Sequence, residues 1–182
     1  MFFQNTCLFT AEDGRQTLQE KFQLCEALNE SSYLDFRDWA RDTYTFLAMV
    51  NYPFSANLIG ELPAFPVKAA CNLLRNQPAE GEAAVDGSAK VMNLFYNSSG
   101  NRPCMDIHLV SKQLAWNFQE CTEIIWPTCS DGIHDMFYPR EWNAEEYVAG
   151  CQERFGVTPQ FDKITTTYPV PDLQTASNIV FT

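Results

Sequence analysis

The sequence predicts a mainly α-helical domain that ends on a single apolar strand. Two observations carry that reading. Apolar residues recur at spacings of three and four through the first two thirds of the chain, and Ser177-Asn178-Ile179-Val180-Phe181-Thr182 reads as a buried strand with no strand beside it to pair with. A helical module followed by one unpaired strand suggests an insertion that returns to a sheet lying outside this chain.

The helices are placed in order by their caps and breakers. Thr10 with Asp13 predicts a cap for a first helix running to about Leu24. Ser32 with Asp35 resembles a capping box ahead of Phe36, Trp39, Ala40, Thr43, Leu47 and Val50, the strongest helical period in the chain, closed by Tyr52-Pro53. A loop carrying Gly60 and Pro63 leads to Pro66, which suits a first helical turn, and Val67, Ala70, Cys71 and Leu74 form the next apolar face. Between Asn76 and Ser88 the small and acidic residues predict a mobile link, after which Val91, Leu94 and Phe95 resume a short helix. A further helix is expected over Leu114 to Ile124. Asn143 with Glu146 caps another that ends near Phe155-Gly156.

Composition narrows the function. The chain has 182 residues, is 46% hydrophobic, and carries a net charge of −11, so it can bury a core and offers no positive excess for nucleic acid or an anionic membrane. No apolar run approaches the roughly 20 residues of a spanning helix. The seven cysteines, at 7, 25, 71, 104, 121, 129 and 151, form no CxxC pair and no zinc spacing, so disulfides are the expected use and neither metal nor cofactor is called for. Two sequons, Asn29-Glu30-Ser31 and Asn97-Ser98-Ser99, point with the cysteines to an oxidising compartment. The amino terminus lacks the basic and apolar regions of a signal peptide, and seven cysteines leave at least one unpaired. Both ends therefore read as cut.

No catalytic constellation is expected within the chain. There is no G-x-S-x-G turn, and Ser88 after Gly87 has no strand before it. His108 and His134 are the only histidines, and neither spacing supplies a nucleophile or an orienting acid. The carboxylate pairs Glu12-Asp13, Asp35 with Asp38, and Glu145-Glu146 sit at helix starts, where the macrodipole favours them. The cluster from Trp116 to Pro127 places aromatic, amide and carboxylate groups on one helix and its exit, and it reads either as a core helix or as a recognition surface.

Asp38-Trp39-Ala40-Arg41-Asp42-Thr43-Tyr44 through Asn51-Tyr52-Pro53-Phe54, then Leu62-Pro63-Ala64-Phe65-Pro66, resembles the helical cap of the serine carboxypeptidase S28 family. The likeness continues through Tyr96 to Gly100, Trp116 to Glu123, Asp135-Met136-Phe137, Trp142-Asn143 and Ser177 to Thr182, in order over about 18–182. It implies a helical-bundle cap, the SKS domain, inserted in an α/β-hydrolase fold whose core is otherwise absent here. The implied boundaries are an unassigned segment at 1–17, the cap at 18–160, and a return segment with its strand at 161–182.

Family members are lysosomal or secreted glycoproteins that cleave beside proline by a Ser-Asp-His mechanism, which implies a proline-containing peptide as substrate. The resemblance puts the nucleophile's G-x-S-Y-G-G turn upstream of residue 1, and the acid in an N-G-x-L-D-P-W run beyond Thr182. This chain would then supply only pocket wall and be inactive alone. Trp126 stands where the carboxypeptidase branch lines its proline pocket, and Gln119, Glu123, Met136 and Phe137 are the further candidate substrate-binding residues. The short segment from Met105 to Ala115 lacks the insert with which the dipeptidyl branch holds a free amine, so the carboxypeptidase branch is favoured. The family's pairing implies disulfides Cys25–Cys104 and Cys121–Cys151, partners outside the chain for Cys71 and Cys129, and no assignment for Cys7. Homodimers are common in the family, and no residue here tests that. The rival reading is a free-standing, non-catalytic domain that binds proline-containing peptides or a full-length paralogue.

Overall fold

The computed structural model describes residues 10–57, 61–78, 81–108 and 114–167. They fall into two compact units. The first comprises residues up to 110 together with Gly132–Tyr138, and the second comprises Ser111–Asp131 and the residues from Pro139 onward. The terminal strand expected at 177–182 and Cys7 lie outside the described residues.

The first unit is a helical bundle with one small hairpin. Its helices are α1 (Glu12–Phe22), α2 (Tyr33–Met49), α3 (Pro66–Leu74) and α4 (Glu82–Tyr96), and its strands are β1 (Ala56–Asn57) and β2 (Glu61–Leu62). Helix α4 packs on α1, α2 and α3, and so forms the centre of the bundle. Phe22, Phe95, Leu47, Met92 and Val91 are among its largest fully buried side chains. An aromatic group fills the space between α1, α2 and α4. Phe22 stands edge-on to Phe36 at 5.1 Å and to Trp39 at 6.0 Å, and Trp39 stacks on Tyr96 at 5.1 Å. The mainly helical class expected from the periodicity is what the bundle shows.

Several local expectations are corrected. The first helix is present where expected, as α1, and buries Leu18 and Phe22, but its N-cap is Ala11, with no side-chain cap, and not Thr10. The capping box ahead of α2 lies three residues earlier than expected. The Asn29 side chain accepts from the backbone N–H groups of Ser31 and Ser32, the Ser32 hydroxyl accepts from the Asn29 N–H, and a 3-10 turn over Glu30–Ser32 leads into α2. The expected link at 76–88 is helical from Glu82. Gly87 lets α4 approach α3 closely, because a Cβ there would meet Leu74 Cδ2 at 3.0 Å. The loop before Pro66 contains β1 and β2, which pair antiparallel with Ala56 opposite Leu62.

Pro66 opens α3 at its first position. The Cys25–Cys104 disulfide closes a separation of 79 residues beside the Leu24–Met105 bridge, in which the Met105 N–H donates to the Gln23 carbonyl at 2.8 Å and the Cys25 N–H to the Met105 carbonyl at 2.9 Å.

The second unit holds α5 (Leu114–Thr122), α6 (Ala144–Phe155) and α7 (Lys163–Thr167). Asn143 caps α6 by accepting from the Glu145 and Glu146 N–H groups, and Gly156 closes it in the left-handed region at φ 67°. Among the unit's described residues only Cys121, Cys151 and Pro159 are buried, and the first two form a disulfide across α5 and α6. A short helix, α7, occupies part of the segment read as a return to the sheet. No helix among the described residues is long and apolar enough to cross a membrane.

Candidate substrate-pocket residues

The cluster singled out in the sequence lies on α5 and its exit. Helix α5 ends at Thr122, two residues short of the expectation, where the N–H groups of both Glu123 and Ile124 turn back to the Gln119 carbonyl at 2.8 and 3.3 Å. Lys163 closes that end. Its Nζ donates to the Thr122 carbonyl at 2.9 Å and pairs with Glu123 Oε2 at 2.7 Å, placing a cation where the helix dipole is negative. The Lys163 ammonium holds the Glu123 carboxyl below the usual carboxylate range. Gln119 is exposed on the same helix.

Trp126 follows that turn, before Pro127, with 56% of its surface exposed. The alternative left open by the sequence, a core helix under a tryptophan lid, does not describe these residues. Trp126 and Phe118 stand well out of any interior, while α5 is held to α6 by the Cys121–Cys151 disulfide, the Tyr147 hydroxyl donating to the Glu120 carbonyl at 2.9 Å, and the edge contact of Phe118 with Phe155 at 5.6 Å.

Met136 and Phe137 belong to the first unit, in the stretch Gly132–Tyr138 that packs with it. Met136 is 67% exposed and Phe137 half-buried. The Asp135 carboxylate accepts from the Phe137 N–H at 2.8 Å and closes a tight turn around Met136. Tyr138 then anchors the stretch to α2. Its hydroxyl donates to Asp38, the Arg41 guanidinium donates to that hydroxyl at 3.4 Å, and the Arg37 guanidinium lies over its ring at 3.9 Å from the centroid. Sequence reasoning missed this group. It assigned Asp38 to helix-end electrostatics, and nothing local announces a tyrosine 100 residues away.

The remaining candidates are placed as follows. Ser88 is buried inside α4, and His108 and His134 are exposed. Asn29 is exposed, and its cap uses the side-chain oxygen, a different atom from the nitrogen that carries a glycan. Asn97 is 8% exposed, and its amide nitrogen donates to Asn93 Oδ1 and the Arg102 carbonyl, both at 3.2 Å, so a sugar there, which takes one of the two amide hydrogens, must displace one of these bonds. Cys71 and Cys129 are exposed thiols outside both disulfides. No group of three or more potential metal ligands occurs among the described residues.

A family description, serine carboxypeptidase S28, matches residues 2–182. The chain belongs to this family. It is 34% identical over 172 residues to the lysosomal Pro-X carboxypeptidase of Homo sapiens, covering 92% of this chain and 35% of that protein. The Bos taurus lysosomal Pro-X carboxypeptidase is 35% identical over 173 residues, with the same coverage. Prolyl carboxy peptidase like protein 5 of Caenorhabditis elegans is 27% identical over 195 residues, 96% of this chain and 38% of that relative. This S28 chain thus spans about a third of the length of the curated relatives it matches.

Proposed function

We propose that this chain supplies the helical SKS cap of a serine exopeptidase of the Pro-X carboxypeptidase type, roofing a pocket for proline-containing peptides in a lysosomal or secreted glycoprotein. The observation that carries the reading is the S28 match along nearly the whole chain, together with coverage of only 35% of the Pro-X carboxypeptidases. In the mechanism this implies, a histidine deprotonates the serine nucleophile, an aspartate fixes the histidine tautomer, and backbone amides hold the oxyanion. All of these groups would come from outside these 182 residues. The chain's own residues bind and orient. In the second unit Trp126 stacks on the proline ring and Gln119 offers an amide from α5; in the first unit Met136 and Phe137 are separate candidates for apolar contact with the peptide.

The Glu123–Lys163 pair supports a carboxypeptidase over an amine-binding dipeptidyl specificity. A carboxylate already neutralised by an ammonium at 2.7 Å is a poor counter-ion for a substrate's free amine. The exposed thiols of Cys71 and Cys129 fit bonding partners beyond this chain.

The test is hydrolysis of N-acetyl-Ala-Pro-Phe by the purified chain. No phenylalanine should be released, because a binding wall without nucleophile, base and oxyanion donors gives no acyl transfer. Release that co-purifies with the chain and is lost in a Trp126→Ala variant refutes the assignment, because a contaminating peptidase would not respond to that substitution. Weak peptide binding without turnover fits a lone pocket wall, whereas binding as tight as a complete site's by a stable monomer favours a free-standing binding domain instead.

A further inference from the structure

Gly132–Tyr138 is flanked in sequence on both sides by residues of the second unit, yet it packs with the first. Ile133 is 83% exposed and Met136 67%, so burial of these two apolar side chains contributes little to fixing the stretch. Tyr138 supplies a directional anchor at its end. Its ring lies 3.9 Å from the Arg37 guanidinium, its hydroxyl donates to Asp38 and accepts from Arg41 at 3.4 Å, and all three partners lie within two adjacent turns of α2.

The socket is itself braced. Arg37 donates to Asp38 at 3.2 Å, and Arg41 is engaged with Asp42 at 2.7 Å. A guanidinium over an aromatic face and a charge-assisted phenol bond are each specific in direction, unlike apolar contact. The Asp135–Phe137 turn on one side and Tyr138 on the other leave Phe137 and Met136 between two fixed points.

We propose that Tyr138 is a positioning residue, seated in an Arg37–Asp38–Arg41 socket on α2, that fixes Met136 and Phe137 in the orientation in which they meet a proline-containing peptide. This rests on the reading of those two residues as pocket wall. Burial first, and then the hydrogen bond to Asp38, raise the Tyr138 phenol above its usual value, so it stays a neutral donor throughout the acidic and neutral range.

The experiment compares Tyr138→Ala, Tyr138→Phe and Asp38→Asn with the unsubstituted 182-residue chain in two measurements. The first is amide hydrogen exchange over Gly132–Tyr138. The second is titration with N-acetyl-Ala-Pro-Phe followed by the Met136 methyl resonance in [13C-methyl]methionine-labelled protein, with Met136→Leu assigning the signal. Tyr138→Ala is expected to speed exchange in that stretch about 10-fold or more and to weaken peptide binding by a similar factor. Tyr138→Phe keeps the ring under Arg37 and should recover part of both.

Unchanged exchange in Tyr138→Ala overturns the socket. Faster exchange with unchanged affinity overturns the positioning role and leaves a structural contact. If Tyr138→Ala does not fold, Tyr138→Phe and Asp38→Asn decide by the same two criteria. An unsubstituted chain that shifts no methionine methyl with peptide overturns the pocket reading and the positioning role with it, while the exchange data still judge the socket separately.

Discussion

Replacing Cys121 and Cys151 together by serine should unfold the second unit and leave the first intact. Apart from Pro159, those two are the buried side chains of that unit among its described residues, so the disulfide stands in for a hydrophobic core. The crosslink joins residues 30 apart in sequence. Closing a loop of that length removes about 3.6 kcal/mol of chain entropy from the unfolded state at 25 °C. Against that loss the unit retains the Glu123–Lys163 pair, worth little at an exposed site, and ring contacts such as Phe118 with Phe155 and Trp142 with Phe161. The ring contacts contribute about 1 kcal/mol each, insufficient to offset the loss.

Three of the four tryptophans, Trp116, Trp126 and Trp142, lie in this unit, so their fluorescence reports it in a urea titration. Amide exchange in α4 reports the first unit. The expected result is loss of the second unit's share of the fluorescence transition, with the transition of Trp39 in the first unit and α4 protection unchanged. A double-serine variant whose fluorescence midpoint matches the parent's would refute the claim that the disulfide is the core, and simultaneous loss of α4 protection would refute the independence of the two units.

Other outcomes follow from the same structure. Phe22→Ala removes a fully buried ring from contact with Phe36 and Trp39 and should cost about 3–5 kcal/mol in a urea titration of the first unit, whereas a loss under about 1 kcal/mol would mean the aromatic group repacks freely. The Glu123 carboxyl is depressed in the folded state by Lys163, so the pair's stabilising effect is present above the ordinary carboxylate value and is lost as pH falls through the lowered one. A carbonyl NMR titration should therefore place Glu123 below a free glutamate, and Lys163→Met should return it to the ordinary range. No upward movement in that variant would rule out the ion pair as the cause.

Much of the local structure was legible because it is written locally. Pro66 at a helix start, Asn143 as a cap and Gly156 as a left-handed terminus each act within a few residues of where they stand. The stretch from Glu82 to Ser88 was not. Its small and acidic residues look like a linker beside Pro78 and Gly81, yet it is helical because α4 packs on α1 and α3, with Gly87 allowing the close approach to Leu74. The cap before α2 was misplaced for a related reason. Ser32 and Asn29 both have capping side chains, and only the folded backbone decides that Asn29 accepts while Ser32 answers it.

By itself the sequence determined the helical class, the acidic surface and the family, since periodicity, charge and a long ordered likeness all survive without coordinates. The tertiary structure alone decided which candidate residues are presented and what holds them. Trp126 is exposed instead of packed, Glu123 is already paired, and Tyr138 ties Gly132–Tyr138 to Asp38. Contacts between residues 40 or 100 positions apart depend on where the chain returns in space, and no local pattern of residues encodes that distance.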